Sequence, residues 1–128
     1  MSWNVLFHDL FHDEFTAFAE DLQDELLAHA RLLSQFGPQL GRPIADTLNG
    51  SRHANMKELR FDWNGEVWRV AFAFDPQRQA ILLVAGNKRG LDQRRFYRRL
   101  IEKADDRYDD HLAAINGRRE QQYGKKTR

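Results

Sequence analysis

Three apolar segments separated by two four-residue turns and followed by a basic helix constrain this chain more than anything else in it. They are Met56–Phe61 (MKELRF), Val67–Phe74 (VWRVAFAF) and Ala80–Lys88 (AILLVAGNK). Asp62-Trp63-Asn64-Gly65 and Asp75-Pro76-Gln77-Arg78 lie between them, and both carry residues that favour turn geometry. Segments this close in sequence pair as an antiparallel meander, because a parallel crossover needs a dozen or more residues. Alternation sorts the middle strand into two faces. Trp68, Val70, Phe72 and Phe74 form a bulky face suited to packing on helices, while Arg69, Ala71 and Ala73 form the other. In the preceding strand Leu59 and Phe61 match the bulky face, and Glu58 and Arg60 lie opposite. This second face is expected to be open, polar and floored by alanines.

The rest of the chain supplies the covering layer. Trp3 to Phe7 suits a short first strand. From Asp13 to Phe36 the apolar residues Phe11, Phe15, Phe18, Leu22, Leu26, Leu27, Ala30 and Leu33 recur at helical spacing, with Gly37-Pro38 as the stop. Asp13 can cap this region, and the acidic cluster from Glu20 to Asp24 suits the start of a second helix. Residues 37–55 read as a loop. From Leu91 to about Ile115 the spacing of Phe96, Leu100, Ala104, Tyr108, Leu112 and Ile115 is again helical. The predicted class is α+β: a short N-terminal strand and a helical pair packed on an antiparallel β-meander, followed by a C-terminal helix. Residues 1–116 form one domain and 117–128 a basic, mobile tail.

Charge and composition narrow the function classes. The net charge of +1 conceals an asymmetry: residues 1–40 hold one basic side chain (Arg31) against seven acidic ones, and residues 41–128 hold the other 19 basic against 12 acidic. Such a basic region suits a local anionic partner, although a solvated charged surface has the same composition. Cysteine is absent, which excludes a disulfide framework, Cys-ligated zinc and a thiol nucleophile. The N-terminus lacks the basic and apolar regions of a signal peptide, and no apolar run approaches the roughly 20 residues of a membrane helix. A cytoplasmic protein with no membrane partner is expected. The five histidines (His8, His12, His29, His53, His111) are scattered, no metal site is expected, and Gly86-Asn87-Lys88-Arg89-Gly90 lacks the full phosphate-loop pattern.

The cationic groups carry the chemistry. Arg60, Arg69, Lys88, Arg89 and Tyr97 fall on adjacent elements where they can meet one phosphate. Metal-independent RNA cleavage needs a 2′-hydroxyl to lose a proton, positive partners for the phosphate, and a proton for the leaving 5′-oxygen. Arginine suits the second task through its planar, permanently charged fork. Tyrosine, with an ordinary pKa near 10, needs cationic neighbours to act as a base, and it can also stack on a nucleobase.

Four motifs in order resemble the RelE/ParE superfamily of type II toxins, and its phage-derived, HigB-like branch in particular. They are Lys57-Glu58-Leu59-Arg60, then Arg69 through Pro76 (RVAFAFDP), then Leu82 through Lys88 (LLVAGNK), and finally Phe96-Tyr97 continuing through Ile101 to Ala104-Asp105. The resemblance covers roughly residues 3–115. It implies a RelE-like fold and a ribosome-dependent mRNA endoribonuclease that needs no cofactor. It also implies neutralisation by a helix-turn-helix antitoxin, in a complex that can be a heterotetramer, with ribosome and mRNA as the other partners. By motif it implies a site of Arg60, Arg69, Lys88, Arg89 and Tyr97, of which Arg69, Lys88, Arg89 and Tyr97 are expected to be catalytic and Arg60 to bind RNA; Lys57, His53 and Arg95 are further RNA-binding candidates from their positions in this chain. Where RelE has a second strand lysine on the open face this chain has Glu58, which either serves as the base or pairs with Arg60 or Arg69. Two other readings stay open: a ParE-like gyrase-binding toxin without nuclease activity, and an inactive member that binds only its antitoxin.

Overall fold

The apolar pattern of the meander is realised as a five-stranded sheet with helices on both faces. A computed structural model describes residues 2–126, with side chains described as far as residue 117. The elements are β1 (Asn4–Phe7), α1 (Asp9–Thr16), α2 (Glu20–Phe36), β2 (Ala45–Thr47), β3 (Met56–Trp63), β4 (Glu66–Phe74), β5 (Gln79–Asn87) and α3 (Gln93–Lys126). The strand order is β1-β5-β4-β3-β2. β1 runs parallel to β5, and the other neighbours are antiparallel. Both expected turns form. Asn64 and Gly65 have φ of 53° and 75°, the left-handed pair that lets a two-residue hairpin follow the strand twist.

Leu59, Phe61, Val70, Phe72 and Leu82 face α1 and α2, where they bury Phe11, Phe15, Leu22, Leu26, Ala30 and Leu33. Ala71, Ala73, Ile81, Leu83 and Val84 face α3, where they meet Phe96, Leu100, Ala104 and Tyr108. The expectation of an open face floored by alanines is therefore corrected. Ala71 and Ala73 are fully buried, and their small size lets the apolar stripe of α3 lie directly on the sheet.

Three further local readings change. The N-terminal helical region divides at Ala17–Ala19, and α1 begins at Asp9 rather than Asp13. His8 caps it, accepting from the Leu10 backbone N–H through Nδ1 at 3.1 Å. β2 lies within the segment read as loop, since three residues on a sheet edge leave no alternation to detect. α3 continues beyond Ile115 as far as Lys126, within the segment read as a tail, while the side chains of Arg118, Arg119, Lys125 and Lys126, and Arg128 as a whole, lie outside what the structure describes. Gly37 ends α2 as expected, with φ of 56°, and a Cβ there would come within 2.4 Å of Trp3 Nε1.

One irregularity governs the site. Along β4 and β5, Phe72 pairs with Leu82 but Ala71 pairs with Val84, so Leu83 is an extra residue, a β-bulge. Beyond it Arg69 stands beside Gly86 and Trp68 beside Asn87, and Lys88 follows directly after the strand.

Candidate functional site

The α3 face is covered by helix over most of its length and left partly open at the end where α3 begins. There the alternation of β3 and β4 places Arg60 directly opposite Arg69. Two like charges facing each other across a ladder are unfavourable unless something offsets them. The offset is Glu58, two residues before Arg60 on the same face.

Glu58 is 4% exposed. Its Oε1 accepts a hydrogen bond from the Tyr97 hydroxyl at 3.0 Å and lies 3.7 Å from Arg60 Nε. Tyr97 stands in the first turns of α3. The Arg69 guanidinium lies 5.4 Å from the ring centroids of both Phe96 and Tyr97, within cation–π range. Arg69 is 5% exposed; it donates a long hydrogen bond from Nη1 to the Val67 carbonyl at 3.5 Å, and its side chain also acts as a donor towards the Tyr97 hydroxyl. Glu58 Oε2 and Arg69 Nε are both buried without a hydrogen-bond partner. Buried polar groups are nearly always satisfied, so two orphaned atoms in one cluster mark it as unusual.

The electrostatics follow from burial. Burial pushes the Glu58 carboxyl above its ordinary value, although the Tyr97 hydrogen bond and the charges of Arg60 and Arg69 pull it down. Burial also pushes the Tyr97 phenol up, helped by the charge of Glu58 and opposed by Arg69. The cationic neighbours do not make Tyr97 acidic, and it stays protonated at neutral pH.

Two clefts open beside this cluster and share Val67. One, of about 470 Å³, is lined by Arg69, Lys88 and Arg89 with Gly65, Glu66 and Asn87. The other, of about 690 Å³, is lined by Arg60, Arg42, Asp46, Asp62, Ile44 and Phe61 among others. Lys88 is exposed at the rim of the first. Arg89 is also exposed and turns towards Glu66, with Nε 3.7 Å from its Oε1.

The structure thus brings together Arg60, Arg69, Lys88 and Tyr97, with Arg89 at the edge. Three residues expected to bind RNA stand elsewhere. Lys57 lies on the α1/α2 face, beside Phe72 in register, because it is one residue out of phase with Glu58 and Arg60. His53 is engaged by the middle of α3: its Nε2 is 2.7 Å from Asp109 Oδ1, and its ring meets Tyr108 edge-on. Asp109 is twelve residues beyond Tyr97, about 18 Å along the helix. Arg95 is two residues before Tyr97, about 200° around the helix, and it is exposed on the far side. Glu58, weighed from sequence as a base or an ion-pair partner, stands at the centre. The signal was its phase, an acid on the same face as Met56, Ala71 and Ala73. Among the described residues, no three of His, Asp and Glu are placed to hold a metal ion.

Comparison with known proteins places this arrangement. The family model described as Phage derived protein Gp49-like (DUF891) matches residues 13–109, which include all the candidate residues above. Two Mycobacterium tuberculosis proteins carrying the toxin names HigB2 and HigB3 are similar to the chain. HigB2 is 50% identical over 90 residues, covering 69% of this chain and 44% of HigB2. HigB3 is 44% identical over 103 residues, covering 80% of this chain and 88% of HigB3. The chain therefore spans less than half of HigB2 and most of HigB3. A mutant of the Escherichia coli toxin RelE, solved in the free state, superposes with a TM-score of 0.55 at 10% identity, covering 80% of this chain and 97% of RelE. That likeness is one of fold.

Proposed function

The chain belongs to the phage-derived Gp49-like family, a branch of the RelE superfamily of type II toxins, and we propose that it is a ribosome-dependent mRNA endoribonuclease. Its antitoxin is a small helix-turn-helix protein, and its substrate is mRNA in the decoding site. The observation that carries this reading is the cross-strand pair Arg60–Arg69, with Lys88 lining the same cleft as Arg69 and Tyr97 hydrogen-bonded to Glu58 beside them.

The scissile phosphate sits across Arg60 and Arg69, whose forks bind its non-bridging oxygens. Arg69 is stacked on two rings and its Nε has no protein partner, so it is held in place with hydrogen-bonding capacity to spare. It meets the growing negative charge without first breaking a protein contact, which is how a preorganised site lowers a barrier. A ribose 2′-hydroxyl attacks the adjacent phosphorus, and the 5′-oxygen leaves as it takes a proton from the Lys88 ammonium. The products are a 2′,3′-cyclic phosphate and a free 5′-hydroxyl. The clefts on either side of Val67 receive the flanking nucleotides.

The test is primer extension on a reporter mRNA in a purified translation system, with wild-type protein and Arg69→Ala. Cuts within the decoding-site codon, absent without ribosomes and lost in the variant, are expected. Intact mRNA at full occupancy overturns the nuclease reading and favours poisoning of DNA gyrase, for which double-strand breaks in induced cells are the readout.

A further inference from the structure

The site as described has a phosphate clamp and a proton donor but no residue that takes the 2′ proton. Tyr97 is the only uncharged hydroxyl in the cluster, and as a phenol held protonated it is a poor base on its own. Its own proton, however, is already directed at a carboxylate oxygen 3.0 Å away. The phenolic oxygen keeps its accepting side, where the Arg69 side chain is the neighbouring donor and a substrate hydroxyl can compete for it. Glu58 itself lines neither of the two clefts, whereas Arg69 and Arg60 each line one, so the substrate meets the arginines and not the carboxylate.

We infer, resting on the nuclease reading above, that Glu58 is the terminal proton acceptor of the cleavage step and works through the Tyr97 hydroxyl. As the 2′-oxygen–phosphorus bond forms, the 2′-hydroxyl proton passes to Tyr97 Oη. The proton that Tyr97 held passes in the same event to Glu58 Oε1, and no phenolate is formed. The phosphorus–5′-oxygen bond breaks, and Lys88 supplies the proton that the 5′-oxygen gains. Glu58 ends the turnover as a carboxylic acid and Lys88 as an amine. Exchange with water after product release restores both.

Three features support this assignment beyond the hydrogen bond. Burial raises the proton affinity of Glu58 towards that of a useful base, whereas an exposed carboxylate holds a proton too weakly near neutral pH. Glu58 Oε2 has no partner, so the carboxylate is not committed to a closed ion pair. The groups facing it from every packed element are Arg60 on its own strand, Arg69 from β4 and Tyr97 from α3, with the more distant charge of Asp46 from β2. The charges of the two arginines oppose the rise that burial causes, and the transition state's added negative charge draws them towards the phosphate as the proton arrives.

A residue that merely props Tyr97 in place makes a different prediction from a proton acceptor. Glu58→Gln keeps an oxygen that can accept from the Tyr97 hydroxyl, and it removes the ability to take the proton. The experiment measures single-turnover cleavage of mRNA on programmed ribosomes from mildly acidic to neutral pH. It uses wild type, Glu58→Gln, Tyr97→Phe and the double variant, each checked for an intact thermal transition. The wild-type rate is expected to fall on the acid side as Glu58 protonates. Glu58→Gln is expected to lose about 100-fold or more, the usual contribution of general-base catalysis, and to lose the acid limb with it. Tyr97→Phe should lose a similar factor, and the double variant should be no slower than the slower single one, because the two residues act as a unit. A Glu58→Gln rate within about threefold of wild type with the acid limb intact overturns the relay and leaves the nuclease reading standing. A wild-type protein that leaves mRNA uncut on ribosomes overturns the nuclease reading itself, and the relay with it.

Discussion

The first turns of α3 and its middle lie on the same sheet and do opposite things with buried charge. Around the middle, among the described residues, buried charge is answered. Arg107 is buried and donates two hydrogen bonds to the Glu14 carboxylate, at 2.9 and 2.6 Å, and one to the Leu83 carbonyl at 2.8 Å. His111 Nε2 is 2.8 Å from Asp75 Oδ2, while Asp75 Oδ1 accepts the backbone N–H groups of Gln77 and Gln79. Asp105 holds Ser51 and the Arg52 backbone, and Asp109 holds Arg52 and His53. Tyr108 donates to the Phe74 carbonyl and accepts from Asn55. The first turns cover Glu58 and Arg69 and leave an atom of each without a hydrogen-bond partner. The middle of the helix uses its polar groups for docking, and its start holds them back for a ligand. Rigid support next to an under-satisfied cluster is the arrangement a preorganised site needs.

Experiments can break this contrast. The largest effect is expected for Arg69→Ala, which should cost about 3 kcal/mol of transition-state stabilisation, on the order of a hundredfold in cleavage rate. Its melting temperature should stay near that of wild type, since the contacts Arg69 makes with Val67 and the two rings are offset by its standing opposite Arg60. A large drop in stability with cleavage retained in the folded fraction would show that the start of α3 is structural too. Arg107→Ala should do the reverse, lowering stability by about 2 kcal/mol through lost charged hydrogen bonds, with cleavage per folded molecule unchanged. Arg107 holds the Glu14 carboxyl below its ordinary value of 4.5. A group lowered on folding stabilises above its unfolded value and loses that contribution as pH falls through the folded one. The penalty of Arg107→Ala should therefore shrink below about pH 4.5.

Smaller effects sharpen the same line. Tyr108→Phe should cost about 1 kcal/mol in denaturant unfolding, because Asn55 still serves the Phe74 carbonyl. Glu58 is raised on folding, so the linkage has the opposite sign. Its contribution is favourable below the unfolded value of 4.5 and is lost as pH rises through the folded one. Glu58→Gln should then melt above wild type at neutral pH, with the difference vanishing in acid. The smallest effects are expected at Lys57, His53 and Arg95, where alanine should change the cleavage rate by no more than about twofold.

Much of this was legible in the chain because local physics decided it. The meander was written in alternation and turn residues, and the phase of β3 and β4 alone put Arg60 and Arg69 on one face. What escaped detection depended on distant segments. Ala71 and Ala73 read as the floor of an open surface, yet small residues admit a helix as readily as a ligand, and only the placement of α3 decides between them. The role of Glu58 likewise depends on Tyr97, thirty-nine residues away, arriving within hydrogen-bond reach. β5 is apolar almost throughout, so no alternation announces its change of phase at Leu83.

That change of phase has an evolutionary consequence. Leu83 is the extra residue between Leu82 and Val84, so a chain lacking it would pair Phe72 with Leu82 and Ala71 with Val84 without a break, and Gly86 would stay beside Arg69. A one-residue gap at this point would leave the charged groups of the site on their face, and its cost would be one buried leucine of the core. Two such sequences can therefore differ in length by one residue here and still present the same clamp.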